Sequence, residues 1–383
     1  MTMSITVERI CTDSELDSLR TDWNWLAADV PFRRFEWLAT WWRHYRQPGS
    51  DLFVLTARDS NRELIGILPL YLHRSLRHGR VLRFLGSGEI CSDYLTLLSV
   101  KGAEHEVASE ISSHLTQKVR RNWDLLELVG QEQNDLTIGL LTERFRSSGY
   151  GVHIRSGLSC WRLELPGTWE EYLMSLSKTR RDRVRRLVRQ AFDSGRATNG
   201  LVQQPADFQR YFDRLVDLHQ KRRTSLGEAG CFASRRFIAF HHDVMQQLHS
   251  LGLLRLWWTD FDGQPAAIEY ALVGGDTIYF YQSGIEPALA KQQPGWLSTI
   301  GSLRYVQSQG YRFYDFLRGD EAYKSSWGAT KRPTTELRIV APRLSARIRH
   351  AAWRTRKLAG RIKRSTLPKP STRMLTSRFA GSN

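Results

Sequence analysis

Residues 253–328 constrain the fold of this chain more than any other stretch. Three runs of β-branched, aromatic and aliphatic residues are separated by Asp-Gly and Gly-Gly-Asp turn signals, so each run is predicted to be a strand. The predicted strands are residues 253–259, 266–273 and 277–283. Pro294-Gly295 then opens a stretch with apolar residues at helical spacing, and residues 313–317 form a further predicted strand. Such a meander, helix and strand can hold an extended, phosphate-bearing ligand between splayed strands, with the phosphate at the amides of the helix N-terminus.

The rest of the chain predicts two α/β units. At 383 residues with 13 Trp, 13 Tyr and 16 Phe, the chain can bury two cores. Alternating strand and helix patterns complete one mixed unit by about residue 155, and a similar order then begins again. A long helix is predicted over residues 168–193, and residues 335–340 are predicted as the last strand of the second unit. We therefore predict an α/β (α+β) chain with domains at residues 1–155 and 156–342, followed by a basic tail at 343–383.

The positive charge is concentrated in two places. Residues 337–383 carry 13 Lys or Arg and no acidic residue, and residues 178–196 carry eight basic residues and two Asp, within a total of +17. A partly helical, partly disordered basic tail predicts contact with an anionic membrane or with nucleic acid. No apolar run approaches the roughly 20 residues of a membrane span, and the N-terminus lacks the pattern of a signal peptide. We therefore expect a cytoplasmic protein, peripheral to the membrane through its tail, with four free cysteines and no metal site.

Several segments resemble a known family. PFRRFEWLATWWRHYR, ELIGILPLYLHR and RVLRFLGSGEICSDYLTLL resemble the N-terminal half of CelD-like proteins, and SLSKTRRDRVRRLVRQ, QPGWL and DFLRGDEAYKSSWG resemble the BioF-like acetyltransferase domain of the GNAT superfamily. The most specific part is DF-x-x-G-x-x-x-YK, which here comprises Asp315, Phe316, Gly319, Tyr323 and Lys324. The resemblance covers roughly residues 5–340. It implies a tandem pair of GNAT-like domains, a fold shared with Fem-type aminoacyl-transferases.

The same resemblance implies the chemistry. The implied reaction is transfer of an acyl group from acetyl-CoA, or another acyl-CoA, to the amine of a small-molecule acceptor. CelD-like proteins are associated with cellulose or exopolysaccharide production, which suggests an amino sugar or another exopolysaccharide precursor as the acceptor. Two other functions remain open. One is a Fem-like transferase that uses aminoacyl-tRNA, and the other is a non-catalytic accessory protein of polysaccharide biosynthesis that binds anionic partners through its tail.

A phosphate-binding turn is predicted before the helix at residue 295. The GNAT loop has the form Q/R-x-x-G-x-G/A, and here the candidate cofactor-binding residues are Gln292, Pro294, Gly295 and Trp296, with Leu297 in place of the final small residue. Gly295 would let the backbone approach a diphosphate, although a plain helix-initiating turn has the same sequence. A second match at residues 83–88 is followed by no helical stripe, so we interpret it as a loop.

The candidate catalytic residues are Glu269, Asp315 and Tyr281. Glu269 lies mid-strand on a face with small neighbours, where a carboxylate is costly unless it faces a cleft and can act as general base; the alternative is a strand-edge or ion-paired Glu. Asp315 either orients the acceptor or is structural, and Tyr281 either protonates the leaving thiolate or packs in the core. Lys324 either contacts the cofactor phosphate or pairs with Asp315. The arginines along residues 181–189 either are solvated or receive an anionic group.

Overall fold

The computed structural model describes residues 4–366, and the side chains of residues 4–356. The described chain divides into two compact units. Unit 1 contains the residues up to Leu158 together with the segment from Pro333 onwards, and unit 2 runs from Ser159 to Arg332. Each unit is built around one mixed sheet flanked by helices.

Unit 1 opens with a strand, three helices and a meander of long strands. Its elements up to residue 158 are β1 (Thr6–Ile10), α1 (Asp13–Ser18), α2 (Arg20–Ala27), α3 (Phe35–Tyr45), β2 (Ser50–Arg58), β3 (Leu64–Ser75), β4 (Gly79–Phe84), β5 (Leu98–Ser99), α4 (Glu104–Ser113), β6 (Leu125–Glu132), α5 (Leu136–Ser147) and β7 (Gly151–Ser156). Helix α1 begins with a capping box in which Thr12 and Glu15 bond to each other's backbone amides. The tryptophans of α3 lie in the core of unit 1, as their helical spacing predicts.

Unit 2 contains the segment that dominates the sequence. Its elements are β8 (Cys160–Glu164), α6 (Trp169–Ser175), α7 (Lys178–Leu187), β9 (Ala197–Leu201), α8 (Phe208–Ser225), α9 (Arg235–Ser250), β10 (Leu254–Phe261), β11 (Gln264–Gly274), β12 (Thr277–Ile285), α10 (Pro294–Ser308), β13 (Phe313–Arg318), α11 (Ala322–Ser326) and β14 (Thr330–Arg332). The order of strands in its sheet is β14-β8-β13-β12-β11-β10-β9. Strands β12 and β13 are parallel, and α10 is the crossover between them.

The last strand returns to unit 1. Strand β15 (Thr334–Val340) lies between β6 and β7, and it is antiparallel to both, in the order β1-β2-β3-β4-β6-β15-β7. The sequence placed this segment in the second domain, with a boundary at residue 342, because it directly follows the other elements of unit 2. In the structure it makes ladder hydrogen bonds on both sides, and Leu337 and Ile339 are buried. The segment that follows, α12 (Leu344–Thr366), continues from β15 in unit 1.

The predicted basic tail begins as this helix. Residues 367–383, which were also part of the tail prediction, lie outside the described residues. In the described part of the chain, no helix is both long and apolar enough to cross a membrane.

The predicted helix over residues 168–193 is divided. Helix α6 begins at a capping box formed by Thr168 and Glu171, and it ends where Leu176 adopts an extended conformation (φ −79°, ψ 153°). Leu176 is 5 % exposed, so packing in the core outweighs continuation of the helix. Helix α7 then starts after Ser177, and Val184 and Leu187 form the buried stripe that the spacing predicts.

Helix α10 covers one face of the unit 2 sheet. Its side chains Leu297, Ile300, Leu303 and Val306 are all 0 % exposed, which confirms the stripe predicted from their spacing. They belong to one core with Ile278 and Phe280 of β12 and with Tyr314 and Phe316 of β13. Helices α8 and α9 contact strands β10, β11 and β12 of the same sheet, and Tyr281 and Gln282 of β12 bond to residues in and between these two helices.

Candidate active site of the second unit

Strands β12 and β13 diverge at their carboxyl ends. Their pairing covers Thr277↔Phe313, Ile278↔Tyr314 and Tyr279↔Asp315, and it does not continue beyond these residues in the described chain. Strand β12 also carries a bulge at Tyr281. Tyr270 of β11 pairs with Gln282, and the next residue, Ala271, pairs with Phe280, so Tyr281 is the extra residue between them. The two parallel strands therefore separate at the edge where ligands of α/β sheets bind.

The N-terminus of α10 lies at this same edge, because the helix follows β12. Gln293 adopts the left-handed conformation (φ 56°, ψ 50°) and turns the chain from the short 3-10 segment Pro287–Gln292 into the helix. The amides of Trp296 and Leu297 both donate to the carbonyl oxygen of Gln293, at 2.9 and 3.1 Å. Within the described residues no side chain caps the helix, and the amide of the buried Gly295 has no partner within the helix.

An arginine of α7 adds positive charge to this helix end. Arg183 Nε donates to Gln293 Oε1 at 3.0 Å, and the guanidinium lies 4.1 Å from the ring centroid of Trp296. The Trp296 ring in turn contacts that of Trp327 at 4.4 Å. Burial and the nearby Arg186 lower the pKa of Arg183, which indicates a cation that an anion would stabilise.

The residues at this turn fit a diphosphate. The side-chain oxygen of Gln292 is buried without a hydrogen-bond partner, and an incoming hydroxyl or amide could bond to it. Arg183 could release Gln293 and turn to a phosphate, where it would form a charge-assisted bond. The sequence did not identify Arg183, since the predicted arginine face comprised residues 181, 185 and 189. The helical offset of two residues places Arg183 on another side of α7.

Glu269 lies beneath α10. It is 1 % exposed, and its carboxylate accepts hydrogen bonds from Thr299 Oγ1 at 3.1 Å and from the Tyr314 hydroxyl at 3.3 Å. Desolvation raises the pKa of Glu269, although hydrogen bonds from Ser302, Ser298, Thr299 and Tyr314 oppose the shift. The described contacts of this carboxylate are hydroxyl hydrogen bonds within the core, which differ from both the cleft-facing base and the ion pair considered from the sequence.

Asp315 lies on the other face of the sheet. Tyr314 points toward α10 and Glu269, and side chains alternate along a strand, so Asp315 faces away from them. Its carboxylate, which is 0 % exposed, accepts from Arg162 Nε at 2.9 Å and from the Leu317 amide at 2.8 Å. Leu317 has a positive φ of 56°, which costs energy for a branched residue, and the Asp315 bond stabilises that turn. Glu269 and Asp315 therefore do not form one acid–base pair.

Lys324 is engaged by backbone. Its ammonium donates to the carbonyl oxygens of Leu317 (2.9 Å), Arg318 (2.9 Å) and Gly319 (3.0 Å), and Glu321 lies 3.0 Å away as a counter-charge. Three carbonyls use all three ammonium protons. A phosphate contact by Lys324 would require these bonds to break, so the structure favours a role in holding the turn after β13.

Tyr281 is half-buried at the bulge, and its hydroxyl lies 3.2 Å from His241 Nε2. Burial holds the pKa of His241 well below its usual value, so the imidazole is neutral. The His241 side chain is 0 % exposed. The signal was present in the spacing of Phe237, His241 and Val244, which form a buried stripe of α9.

The rival glycine pattern at residues 83–88 is a loop, as predicted. It begins with the last two residues of β4 in unit 1, its remaining residues form the loop, and Arg83 donates to Glu127 at 2.8 Å. Gly86 has a φ of 83°, and a β-carbon there would lie 2.8 Å from Ser92 Oγ. Across the described residues no three His, Cys, Asp or Glu side chains gather into a metal site.

The diverging parallel strands and the crossover helix with a free N-terminus are the features of an acyltransferase fold. Residues 177–325 match the family model of the acetyltransferase (GNAT) domain. This match lies within unit 2, which is thus similar to a GNAT-type acyltransferase domain.

Solved structures share the fold of the whole chain. The structure of FemX matches with a TM-score of 0.59 at 11% identity, covering 86% of this chain and 96% of that one. A conserved protein of unknown function from Bacteroides thetaiotaomicron VPI-5482 matches with a TM-score of 0.57 at 10% identity, over 88% and 100% of the chains. The C-terminal DUF2156 domain of a putative lysylphosphatidylglycerol synthetase from Agrobacterium fabrum matches with a TM-score of 0.53 at 9% identity, over 88% and 94%. No curated protein matches the sequence. The fold is the α/β chain with two mixed sheets flanked by helices that the sequence predicted.

Proposed function

We propose that unit 2 transfers an acyl group from acetyl-CoA, or another acyl-CoA, to the amine of a small acceptor. The observation that carries this proposal is the divergence of β12 and β13 beyond Tyr279 and Asp315, next to the N-terminus of α10. The space between the diverging strands can receive an extended pantetheine arm, and the Gly295 amide and Arg183 can receive a diphosphate. When bound, the thioester supplies an acyl carbon activated for attack by an amine.

Some side chains of the site contact the substrate, and others hold the surrounding backbone in position. Gln292, Pro294 and Trp296 shape the turn around Gly295. Tyr281, at the bulge of β12, can donate its phenolic proton to the leaving thiolate and regain a proton from solvent, while His241 Nε2, at 3.2 Å, holds the hydroxyl in place.

The two buried carboxylates act through other groups. Glu269 fixes α10 against β11 through Thr299, and Asp315 fixes the turn after β13 through Leu317. We propose both as positioning residues. The amine proton then passes to solvent or to the acceptor's own groups.

Thermal unfolding with and without CoA tests the donor. A ligand present at 100 times its Kd stabilises the folded state by about 2.7 kcal/mol, which is a shift of several degrees for a unit of this size. Pantetheine lacks the diphosphate, so we expect it to bind more weakly than CoA. An unchanged Tm with CoA, or equal affinities for CoA and pantetheine, would contradict the proposal.

A pair of arginine variants tests the diphosphate site. Arg183→Gln removes a charge-assisted bond, so CoA affinity should fall about 10-fold or more while pantetheine affinity stays constant. Arg189→Gln makes the same change of charge at an exposed position that follows α7, and it is the matched control. If both variants lose equal affinity, the effect is one of general charge, and Arg183 has no specific contact.

For the acceptor, we propose an amino sugar or another amine-bearing precursor of an exopolysaccharide. The support is the resemblance to CelD-like proteins and BioF-like acetyltransferase domains. A panel of amino sugars, nucleotide-linked amino sugars and amino acids, assayed for release of free CoA thiol, tests the class. Turnover with amino acids alone would contradict it.

The alternative donor is aminoacyl-tRNA. The observation in its favour is the basic α7, whose arginines could grip nucleic-acid phosphates, in a fold shared with FemX. Transfer from charged tRNA, with no Tm shift from CoA, would establish this alternative.

We propose further that α12 contacts an anionic surface, peripheral to a cytoplasmic membrane leaflet. Leu344 and Ile348 are 75 % and 58 % exposed and lie one turn apart, and Arg347 and Arg354 are exposed near them. Co-sedimentation with phosphatidylserine vesicles should be lost on Arg347→Glu combined with Arg354→Glu. Equal co-sedimentation with neutral phosphatidylcholine vesicles would contradict an electrostatic contact.

A further inference from the structure

A thiol and an imidazole lie together beside the end of β12. His219, on α8, is 2 % exposed, and its Nε2 lies 3.5 Å from the sulfur of Cys231 in the short segment Cys231–Ala233. Gln282 Nε2 donates to the same sulfur at 3.3 Å. A sulfur that accepts an amide hydrogen bond and faces an imidazole has a base within reach of its proton.

A third side chain orients the imidazole. Gln220 Nε2 donates to the carbonyl oxygen of Ala229 at 2.9 Å, so its Oε1 must be the atom that faces His219, at 3.1 Å from Nδ1. An amide oxygen only accepts, and therefore Nδ1 carries the proton. The lone pair of Nε2 is then directed at Cys231. This is the arrangement of nucleophile, base and orienting group that activates a cysteine.

Two glycines allow the cluster to pack. Gly230 has a φ of 73°, and a β-carbon there would lie 2.3 Å from Gln220 Oε1. A β-carbon on Gly284 of β12 would lie 2.7 Å from the backbone nitrogen of His219. The absence of side chains at both positions thus brings α8, the Cys231 segment and β12 into contact.

We propose that Cys231 is a nucleophile that accepts the acyl group before the amine does. The Cys231 proton moves to His219 Nε2, the sulfur forms a bond to the acyl carbon, and the bond from that carbon to the donor's sulfur breaks. The leaving thiolate takes the proton from His219. The acceptor amine then attacks the acyl-cysteine, loses a proton, and releases the Cys231 thiol. The identity of the donor as acyl-CoA rests on the function proposed above.

The position of the pair supports this route. Gln282, which contacts the sulfur, adjoins Tyr281 at the bulge of β12, where this strand has already parted from β13. In direct transfer Tyr281 protonates the leaving thiolate, whereas in the two-step route His219 does so. Tyr281→Phe and His219→Gln therefore separate the two routes.

Alkylation of the whole chain tests the activated thiol. Peptide mapping after treatment with iodoacetamide at pH 6.5, where an ordinary thiol of pKa about 8.5 is hardly ionised, should show Cys231 modified at least 10-fold faster than Cys11 and Cys91. Those two exposed cysteines are internal controls, because the described contacts of their thiols are to backbone carbonyls. His219→Gln should reduce the rate at Cys231 to that of the controls. The milder Gln220→Ala should shift the pH profile to higher pH. A rate at Cys231 no faster than at Cys11 overturns the proposal.

Acylation in the absence of acceptor tests the covalent step. With 4-nitrophenyl acetate, which has no diphosphate, we expect one acetyl group on Cys231 and none in Cys231→Ser. With acetyl-CoA we expect the same product. Labelling by the ester but not by acetyl-CoA supports the nucleophile and contradicts CoA as the donor. No labelling by either donor, or undiminished transfer to amine by Cys231→Ser, overturns the acyl-cysteine.

Discussion

Replacing Lys324 with methionine should strongly destabilise unit 2. The side chain is 0 % exposed, and its ammonium bonds to three consecutive carbonyl oxygens, of Leu317, Arg318 and Gly319, at the end of β13. Methionine has a similar length and no donor, so the substitution removes the charge and leaves the volume nearly unchanged.

The expected loss of stability comes from the polar groups that the substitution leaves without their partner. Two of the three hydrogen bonds are fully buried, and each carbonyl left without a donor costs about 1–3 kcal/mol. Glu321, at 3.0 Å, also loses its counter-charge, and removing one partner of a buried ion pair costs about 3–5 kcal/mol. These two effects overlap, so we expect a loss of about 3–5 kcal/mol, which lowers the Tm of unit 2 by roughly 6–20 °C.

Calorimetry combined with hydrogen exchange measures this loss. Exchange of peptides from α10 identifies the transition of unit 2. Lys331→Met is the control, since Lys331 is 57 % exposed and only 3.8 Å from Asp320, and it should cost at most about 1 kcal/mol. A Lys324→Met protein that unfolds like wild type but no longer binds CoA would refute this reasoning and would support the phosphate contact predicted from the sequence.

Three further substitutions test the other candidate residues. Glu269 has a raised pKa, so it contributes most to stability below its usual value of 4.5 and loses this contribution as the pH rises through the folded pKa. In urea unfolding, Glu269→Gln should therefore gain stability relative to wild type between pH 4.5 and 8. A difference in unfolding free energy that stays constant with pH would contradict a raised pKa. Asp315→Asn should cost about 3–5 kcal/mol, because Arg162 is left partly buried without its counter-charge, and a neutral result would show that the pair is dispensable. If the phenol donates a proton, Tyr281→Phe should lower kcat about 100-fold and leave KM unchanged. If a His241→Phe variant loses as much kcat and also has a raised KM, the two side chains have a packing role.

The local patterns of the sequence were enough to predict most helices and strands of unit 2. The stripe of α10 and the strand–turn–strand order before it depend on spacing and turn residues within one short segment. The break at Leu176 was missed because no Pro or Gly marks it. It arises from packing of Leu176 into the core, which no local pattern records.

In the candidate site, too, local patterns identified some residues, and the others depended on contacts between distant segments. The sequence selected Gly295 and Tyr281 as members of the site, since a helix start and a strand end can be read locally. It could not show that Glu269 and Asp315 face opposite sides of the sheet, because that depends on the bulge and on the register of three strands. Arg183 was missed for a related reason, as its partner Gln293 is far away in the chain.

By itself, the sequence determined which segments become strands and helices and where the turn before α10 lies, because those properties depend on neighbours a few residues apart. Only the tertiary structure decided that β15 returns to the first sheet and that Cys231 meets His219, beside Gln282. Such contacts join segments that are distant along the chain, and they form only when buried faces and unpaired backbone groups find their partners in the folded core.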